Sequence, residues 1–272
     1  MLGFASQTRR RKLFGKDPQG DSKLSSAVQL QKAHYDSIAE EYESHYGDLY
    51  SRQYRSRFIN EPLFAGIELQ GRNVLEAMCG SGHTTEYLIS KGARVTGLDI
   101  SSGEMASFKE NWPDATPVCG SILETGLPDC YFDCVAVIGG LHHLHPNLNE
   151  AIQEIHRTLK PGGYLCFAEP HSRALPDIVR AQWYKHDNLF AKNEASIDVQ
   201  QLKNDFAKHF SFKTESYHGN VAYLLVLNSM VFRVPLSLKR IYSPALLAVE
   251  SVIERVQGRL LSCFVVSQWQ KL

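Results

Sequence analysis

The chain carries no surplus of charge: 29 Lys and Arg against 29 Asp and Glu leave a formal net charge of zero. Without a bulk field, nothing gathers it onto nucleic acid or an anionic surface from a distance, so nucleic acid is not an expected partner. It also has no long apolar run. The longest, Ala222 to Leu227, falls far short of the roughly 20 residues that a membrane helix needs. No C-x-x-C pair occurs among Cys79, Cys119, Cys130, Cys134, Cys166 and Cys263. Most of them sit in strand-like apolar runs, where a free thiol packs as a small hydrophobe, and a reducing cytoplasm is the expected compartment. Arg9 to Lys12 are not followed by an apolar stretch, so no signal peptide is expected.

With 43% hydrophobic and 21% charged residues, the composition is that of a globular domain. The landmark is N-V-L-E-A-M-C-G-S-G-H-T-T-E-Y-L at 73–88. Val74, Leu75 and Ala77 form a buried strand, Gly80 and Gly82 break it, and Thr84 to Leu88 resume at helical spacing. Further strands are expected near Val95–Asp99, Val118–Cys119, Tyr131–Ile138 and Tyr164–Ala168, with helices between them. Leu148, Ile152, Ile155 and Leu159 fall on one helix face.

Residues 1–25 read as a basic arm, and 26–272 as one domain. Within that domain, 26–70 supply N-terminal helices, 71–170 a nucleotide-binding core, and 171–272 a second half with an apolar insert at 221–261. Pro62 should break or kink a helix over 51–67. Another helix is expected over 172–190, a sixth strand near 212–217, and a last strand at 263–269. Ser243-Pro244 has the form of a helix start, a cap followed by an N1 proline.

The glycine turn alone would suit a dinucleotide, but the third glycine of G-x-G-x-x-G is replaced by Thr85. Glu76, at the strand's end, would repel a pyrophosphate and attract an ammonium group, while the helix N-terminus favours an anion. Asp99, ending the second strand, is placed for ribose hydroxyls. A ligand with an amino group, a carboxylate and a ribose meets all three demands, as S-adenosylmethionine does.

Four ordered motifs carry a resemblance over about 73–170: V-L-E-A-M-C-G-S-G at 74–82, V-T-G-L-D-I-S at 95–101, F-D-C-V-A-V-I-G-G-L-H-H-L at 132–144, and E-I-H-R-T-L-K-P-G-G at 154–163. They resemble the class I S-adenosylmethionine-dependent methyltransferases. The resemblance implies a Rossmann-like α/β fold, a doubly wound seven-stranded sheet in the order 3-2-1-4-5-7-6 with the last strand antiparallel. It also implies methyl transfer to a small-molecule acceptor, lipid- or sugar-linked. Glu76 would hold the methionine amino group, Gly80 and Gly82 would let the methionine lie close, and Asp99 would bind the ribose. Ile100 and Met105 would pack around the adenine, Ser121 and Ile122 would face its edge, and Gly139 would lie near the methyl.

Two residues depart from the family pattern. Met78 stands where a glycine is usual, and Ser121 where an aspartate is. A non-catalytic ligand-sensing or assembly module, and an NAD-dependent oxidoreductase, are the alternatives; Glu76 and Thr85 oppose the second.

His142 and His143 are the candidate general bases, because imidazole titrates near neutrality. His171 is a further candidate, and no metal site is expected. The resemblance implies that Tyr35 and Tyr42 cover the donor, with ordinary packing of their helix as the alternative, and Arg55 or Arg57 could meet its carboxylate or lie on a solvated helix face. The 221–261 insert suits an extension of the core, an acceptor pocket or lid, a homodimer interface, or peripheral membrane contact through Arg233, Lys239 and Arg240.

Overall fold

A computed structural model describes residues 45–184 and 195–272. The basic arm, Tyr35, Tyr42, most of the first expected helix and the end of the 172–190 helix lie outside the described residues.

The chain enters through α1 (Leu49–Tyr54), a π-helical turn (Arg55–Asn60) and α2 (Glu61–Leu63). Asp48 caps α1, accepting from the Tyr50 amide at 3.0 Å. Pro62 sits in the first turn of α2, where its missing N–H costs nothing, and the widened turn ahead of it absorbs the expected break.

The alternating core follows: β1 (Asn73–Ala77), α3 (Thr85–Ser90), β2 (Arg94–Asp99), α4 (Ser102–Asn111), β3 (Thr116–Cys119), β4 (Phe132–Ile138), α5 (Leu148–Thr158) and β5 (Leu159–Pro170). The second half holds α6 (Leu175–Tyr184), α7 (Val199–Phe206), β6 (Phe210–His218), α8 (Leu236–Ile253) and β7 (Phe264–Lys271).

The seven strands form one sheet in the order β3-β2-β1-β4-β5-β7-β6, with β7 antiparallel to both neighbours. Its two faces are covered by separate apolar layers, as a largely parallel sheet requires. Val74, Leu88, Val95 and Phe108 belong to one, and Leu75, Leu98, Ile152 and Trp269 to the other. The stripe foreseen on α5 is buried at Leu148, Ile152 and Ile155. All six cysteines are free, and no described helix is long and apolar enough to cross a membrane.

The insert differs from its expected form. Helix α8 starts after Pro235 and runs through Pro244. The Ser243 hydroxyl donates back to the Lys239 carbonyl at 2.6 Å rather than capping a new helix. Burial of residues on both sides, Lys239 and Glu250, outweighs the local break. Lys239 is not a surface cation. Its ammonium donates to the His45 carbonyl at 2.8 Å, the Ser51 hydroxyl at 2.7 Å and the Asp48 carboxylate. Glu250 accepts from the Tyr54 hydroxyl at 3.0 Å and from the Asn220 and Ala222 amides at 2.6 and 2.9 Å. The buried residues of α8 are thus all polar, and they fasten α1 to the second half.

Candidate active site

The carboxyl ends of β1, β2, β4 and β5 open into one cavity of about 910 Å³. This is the side of a doubly wound sheet on which ligands bind. Glu76, Gly80 and Asp99 lie on its wall, followed by Ile100, Ser121 and Ile122, and then by Gly139, His142 and His143.

Glu76 is buried beneath the first turn. One carboxylate oxygen accepts from the Thr84 amide at 3.0 Å, and the other from the Thr85 hydroxyl. Burial pushes its pKa up to about 7, against the pull of those donors and of the Arg55 charge. Thr85, read from sequence only as a missing glycine, is therefore the residue that holds this carboxylate.

Asp99 accepts from the Gly80 amide and the Ser101 amide, each at 2.9 Å, and so ties the glycine turn to the end of β2. Gly80 has φ of +52°, a backbone that glycine adopts freely. Met78 has φ of +56° without that freedom. Its side chain lies over Gly140, where an added Cβ would come within 2.8 Å of the Met78 sulfur. Met78 is on the cavity wall and shapes the floor between the β1 and β4 turns.

Of the nominated residues, Gly82, Met105, Arg57 and His171 are not on that wall. Gly82 faces α4, where a Cβ would meet the Trp112 indole at 2.5 Å, and that indole donates to the Ser81 carbonyl at 3.0 Å. Its lack of a side chain serves helix-to-turn packing. Met105 is buried among the core residues of α4 with Phe108. His171 is also turned to structure, with its ring nitrogens 3.0 Å from the Ser172 carbonyl and 2.8 Å from the Ser262 hydroxyl.

Of the two arginines that the sequence left open for the carboxylate, Arg55 is the one on the cavity wall. It is buried at the opening of the π-helical turn, lines the cavity and bonds the Tyr46 carbonyl at 2.6 Å. Arg57 instead lies over the Phe58 ring, 5.1 Å from its centroid. His83 stands 3.4 Å from Arg55, and burial with that neighbouring charge holds it well below the usual histidine range. A buried cation and a buried anion on one wall suit a zwitterion.

Across the floor, Glu169 is the next-to-last residue of β5 and fully buried. It accepts from the Gly140 and Leu141 amides at 2.7 and 2.8 Å, and its other oxygen is 2.8 Å from His142 Nδ1. Burial raises its pKa to about 7 as well. The His142 and His143 rings stack with centroids 3.9 Å apart. Beyond them the wall is apolar, formed by Leu224, Leu227, Met230 and Phe232 of the insert with Leu175 and Val179 of α6.

Residues 75–167 match the methyltransferase domain family. Over those residues the chain carries a methyltransferase domain of the S-adenosylmethionine-dependent kind. An uncharacterized methyltransferase of Synechocystis is 38% identical over 42% of this chain and 55% of its own length. A fatty-acid O-methyltransferase of Mycolicibacterium smegmatis is 29% identical over 74% of this chain and 70% of its own. The chain spans about half the length of most of the curated relatives it matches. A Thermotoga maritima structure, described as an S-adenosylmethionine-dependent methyltransferase and possible histamine N-methyltransferase, superposes with a TM-score of 0.62. It covers 88% of this chain and 99% of that one at 17% identity, a likeness of fold alone.

The methyltransferase domain implies S-adenosylmethionine as cofactor, and the wall fits it. Glu76 and Arg55 offer opposite charges for its amino-acid end, and Asp99 offers a carboxylate for its ribose. Ile100 and Ile122 offer apolar flanks for its base, with Ser121 beside them.

Proposed function

We propose that the protein transfers a methyl group from S-adenosylmethionine to a small, largely apolar acceptor bearing a hydroxyl or carboxyl group. The observation that carries this reading is the continuity of the cavity. One space runs from the Glu76, Arg55 and Asp99 end to a wall of aliphatic and aromatic side chains, and it takes both partners.

When bound, S-adenosylmethionine supplies an electrophilic methyl group on a positively charged sulfur. Glu76 orients its ammonium, Arg55 its carboxylate, and Asp99 its ribose. The backbone at Gly139, with φ of +65°, lets the β4 turn approach closely. For a hydroxyl acceptor, His142 receives the proton on Nε2, the nitrogen that Glu169 does not engage, as the oxygen takes the methyl group; a carboxyl acceptor arrives as the carboxylate and loses no proton. Glu169 is a positioning residue. It fixes the ring through Nδ1 and, through the Gly140 and Leu141 amides, the loop that bears it. The apolar wall excludes water, and much of the rate comes from holding the oxygen and the methyl group in line. The name of the Mycolicibacterium smegmatis relative, a fatty-acid O-methyltransferase, supports an acyl or similarly apolar acceptor.

Calorimetry with S-adenosylmethionine, followed by incubation of methyl-labelled donor with lipid extracts, tests the reading. Saturable heat and label passing into the organic phase are expected. Absence of both heat and thermal protection would remove the enzyme reading. Label confined to water-soluble metabolites would remove the apolar acceptor.

A further inference from the structure

Helix α8 buries polar side chains most deeply, Lys239, Ser243 and Glu250, with Tyr242, Leu246 and Leu247 partly buried against the core beside them. Its outward stripe is aliphatic as well. Leu238, Ile241, Ala245, Val249 and Val252 follow one another at spacings of three and four, the repeat of a single helix face, and Val256 extends it into the next turn. Ile241, Val252 and Val256 are 77%, 62% and 84% exposed. Isolated exposed aliphatics need no explanation, but a continuous stripe along an 18-residue helix does.

The stripe is edged by cations. Arg240 and Arg255 are exposed, whereas both carboxylates between Met230 and Leu261 are taken up. Glu250 is buried, and Glu254 is half-buried with an oxygen 3.0 Å from His218 Nδ1. From Val256 the chain passes directly to Leu260 and Leu261, 58% and 51% exposed, which sit in a short 3-10 turn packed against α6. There Leu175, Val179 and Leu261 are at once exposed and part of the cavity wall. The aliphatic surface therefore runs along the chain to the rim of the cavity.

We propose that α8 and this rim dock on an anionic lipid surface, with α8 lying in the plane of the headgroups. The charge pattern selects this occupant. Two-fold packing against a second copy would bring one arginine row against another, with no exposed carboxylate between Met230 and Leu261 to meet it. Anionic headgroups complement the row, and acyl chains complement the stripe. The near-zero net charge of the whole chain is consistent with this, because the attraction is local to one face.

The test is flotation of the full chain with phosphatidylglycerol vesicles and with phosphatidylcholine vesicles. The wild type should float with the anionic vesicles, less so as salt is raised. The I241E/V252E variant should lose binding by at least about tenfold while keeping its melting temperature and its affinity for S-adenosylmethionine. R240E/R255E, which leaves the stripe intact, should lose a similar amount and with it the salt dependence. A wild-type chain that ignores both kinds of vesicle would overturn the proposal, as would variants that float like the wild type. A dimer in ultracentrifugation that I241E/V252E dissociates, without vesicle binding by the wild type, would assign the stripe to a second copy instead. None of these outcomes depends on methyl transfer, so the surface and the reaction stand or fall separately.

Discussion

Two glutamates occupy the same structural position in different strands. Glu76 is next to last in β1 and Glu169 next to last in β5, and burial raises each to about 7. Their partners differ. Glu76 is held by one amide and one hydroxyl, with Arg55 close enough to act on it electrostatically. Glu169 is engaged by the amides of the β4 loop and by His142. A desolvated carboxylate gains most from a positive partner. For Glu76 the protein supplies the Arg55 charge and the reading adds the ligand's ammonium; for Glu169 the protein supplies the hydrogen-bonding His142 ring. The first carboxylate is arranged to bind and the second to brace.

The largest expected effect that separates them is on donor affinity. Glu76→Gln keeps the size of the side chain but removes the charge facing an ammonium, a loss of about 2 kcal/mol or roughly thirtyfold in Kd by calorimetry. Glu169→Gln should leave that Kd within about threefold. If the two variants weakened the donor equally, the division of labour would fail.

Next in size is turnover. Glu169→Gln should lower the rate of methyl incorporation by about tenfold, since a well-oriented base is worth more than that in all. It should also move the acid limb of the rate–pH profile to lower pH, because an imidazolium beside a neutral amide is less favoured than beside a carboxylate. A lower rate with an unmoved profile would reduce Glu169 to a scaffold.

The smallest effect is a pH dependence that only Glu76 should produce. Its raised pKa means that the ligand-free protein holds a proton there below about 7, which an incoming ammonium must displace. Donor affinity should therefore be full at about pH 8 and fall by about tenfold by about pH 6. Glu76→Gln should abolish this dependence and Glu169→Gln should not. A flat profile in the wild type would put the ammonium elsewhere.

Much of the cavity wall at the strand ends was legible from residue order, because each part lies within a few residues of the strand that places it. The apolar run, glycine turn and helix at 73–88 located Glu76 and Gly80, and Asp99 followed from the end of the next strand. What was not legible depends on distant segments meeting. The sequence offered Arg55 and Arg57 alike, and only the packing of the π-helical turn separates them, with Arg55 on the cavity wall and Arg57 over the Phe58 ring. Thr85 was read for the glycine it replaces, since only the folded turn puts its hydroxyl on Glu76. Met105 was misplaced because a helical face one turn wide separates the cavity wall from the core. In the insert, Ser243-Pro244 read as a boundary because the two buried anchors that carry α8 through it, Lys239 and Glu250, are charged residues that sequence assigns to the surface.

Those anchors also bear on the route by which ligands exchange. Lys239 grips Asp48 and Ser51 before the start of α1 and within it, and Glu250 grips Tyr54 at its end, immediately before Arg55. Swinging α1 aside to open a back door onto the donor would break both attachments together, and each buried charge left alone costs about 3–5 kcal/mol. That route is therefore costly to open. Leu175, Val179 and Leu261, exposed and on the cavity wall, form an aliphatic stretch of its rim, so an apolar molecule lodged there would obstruct whatever lies beneath it.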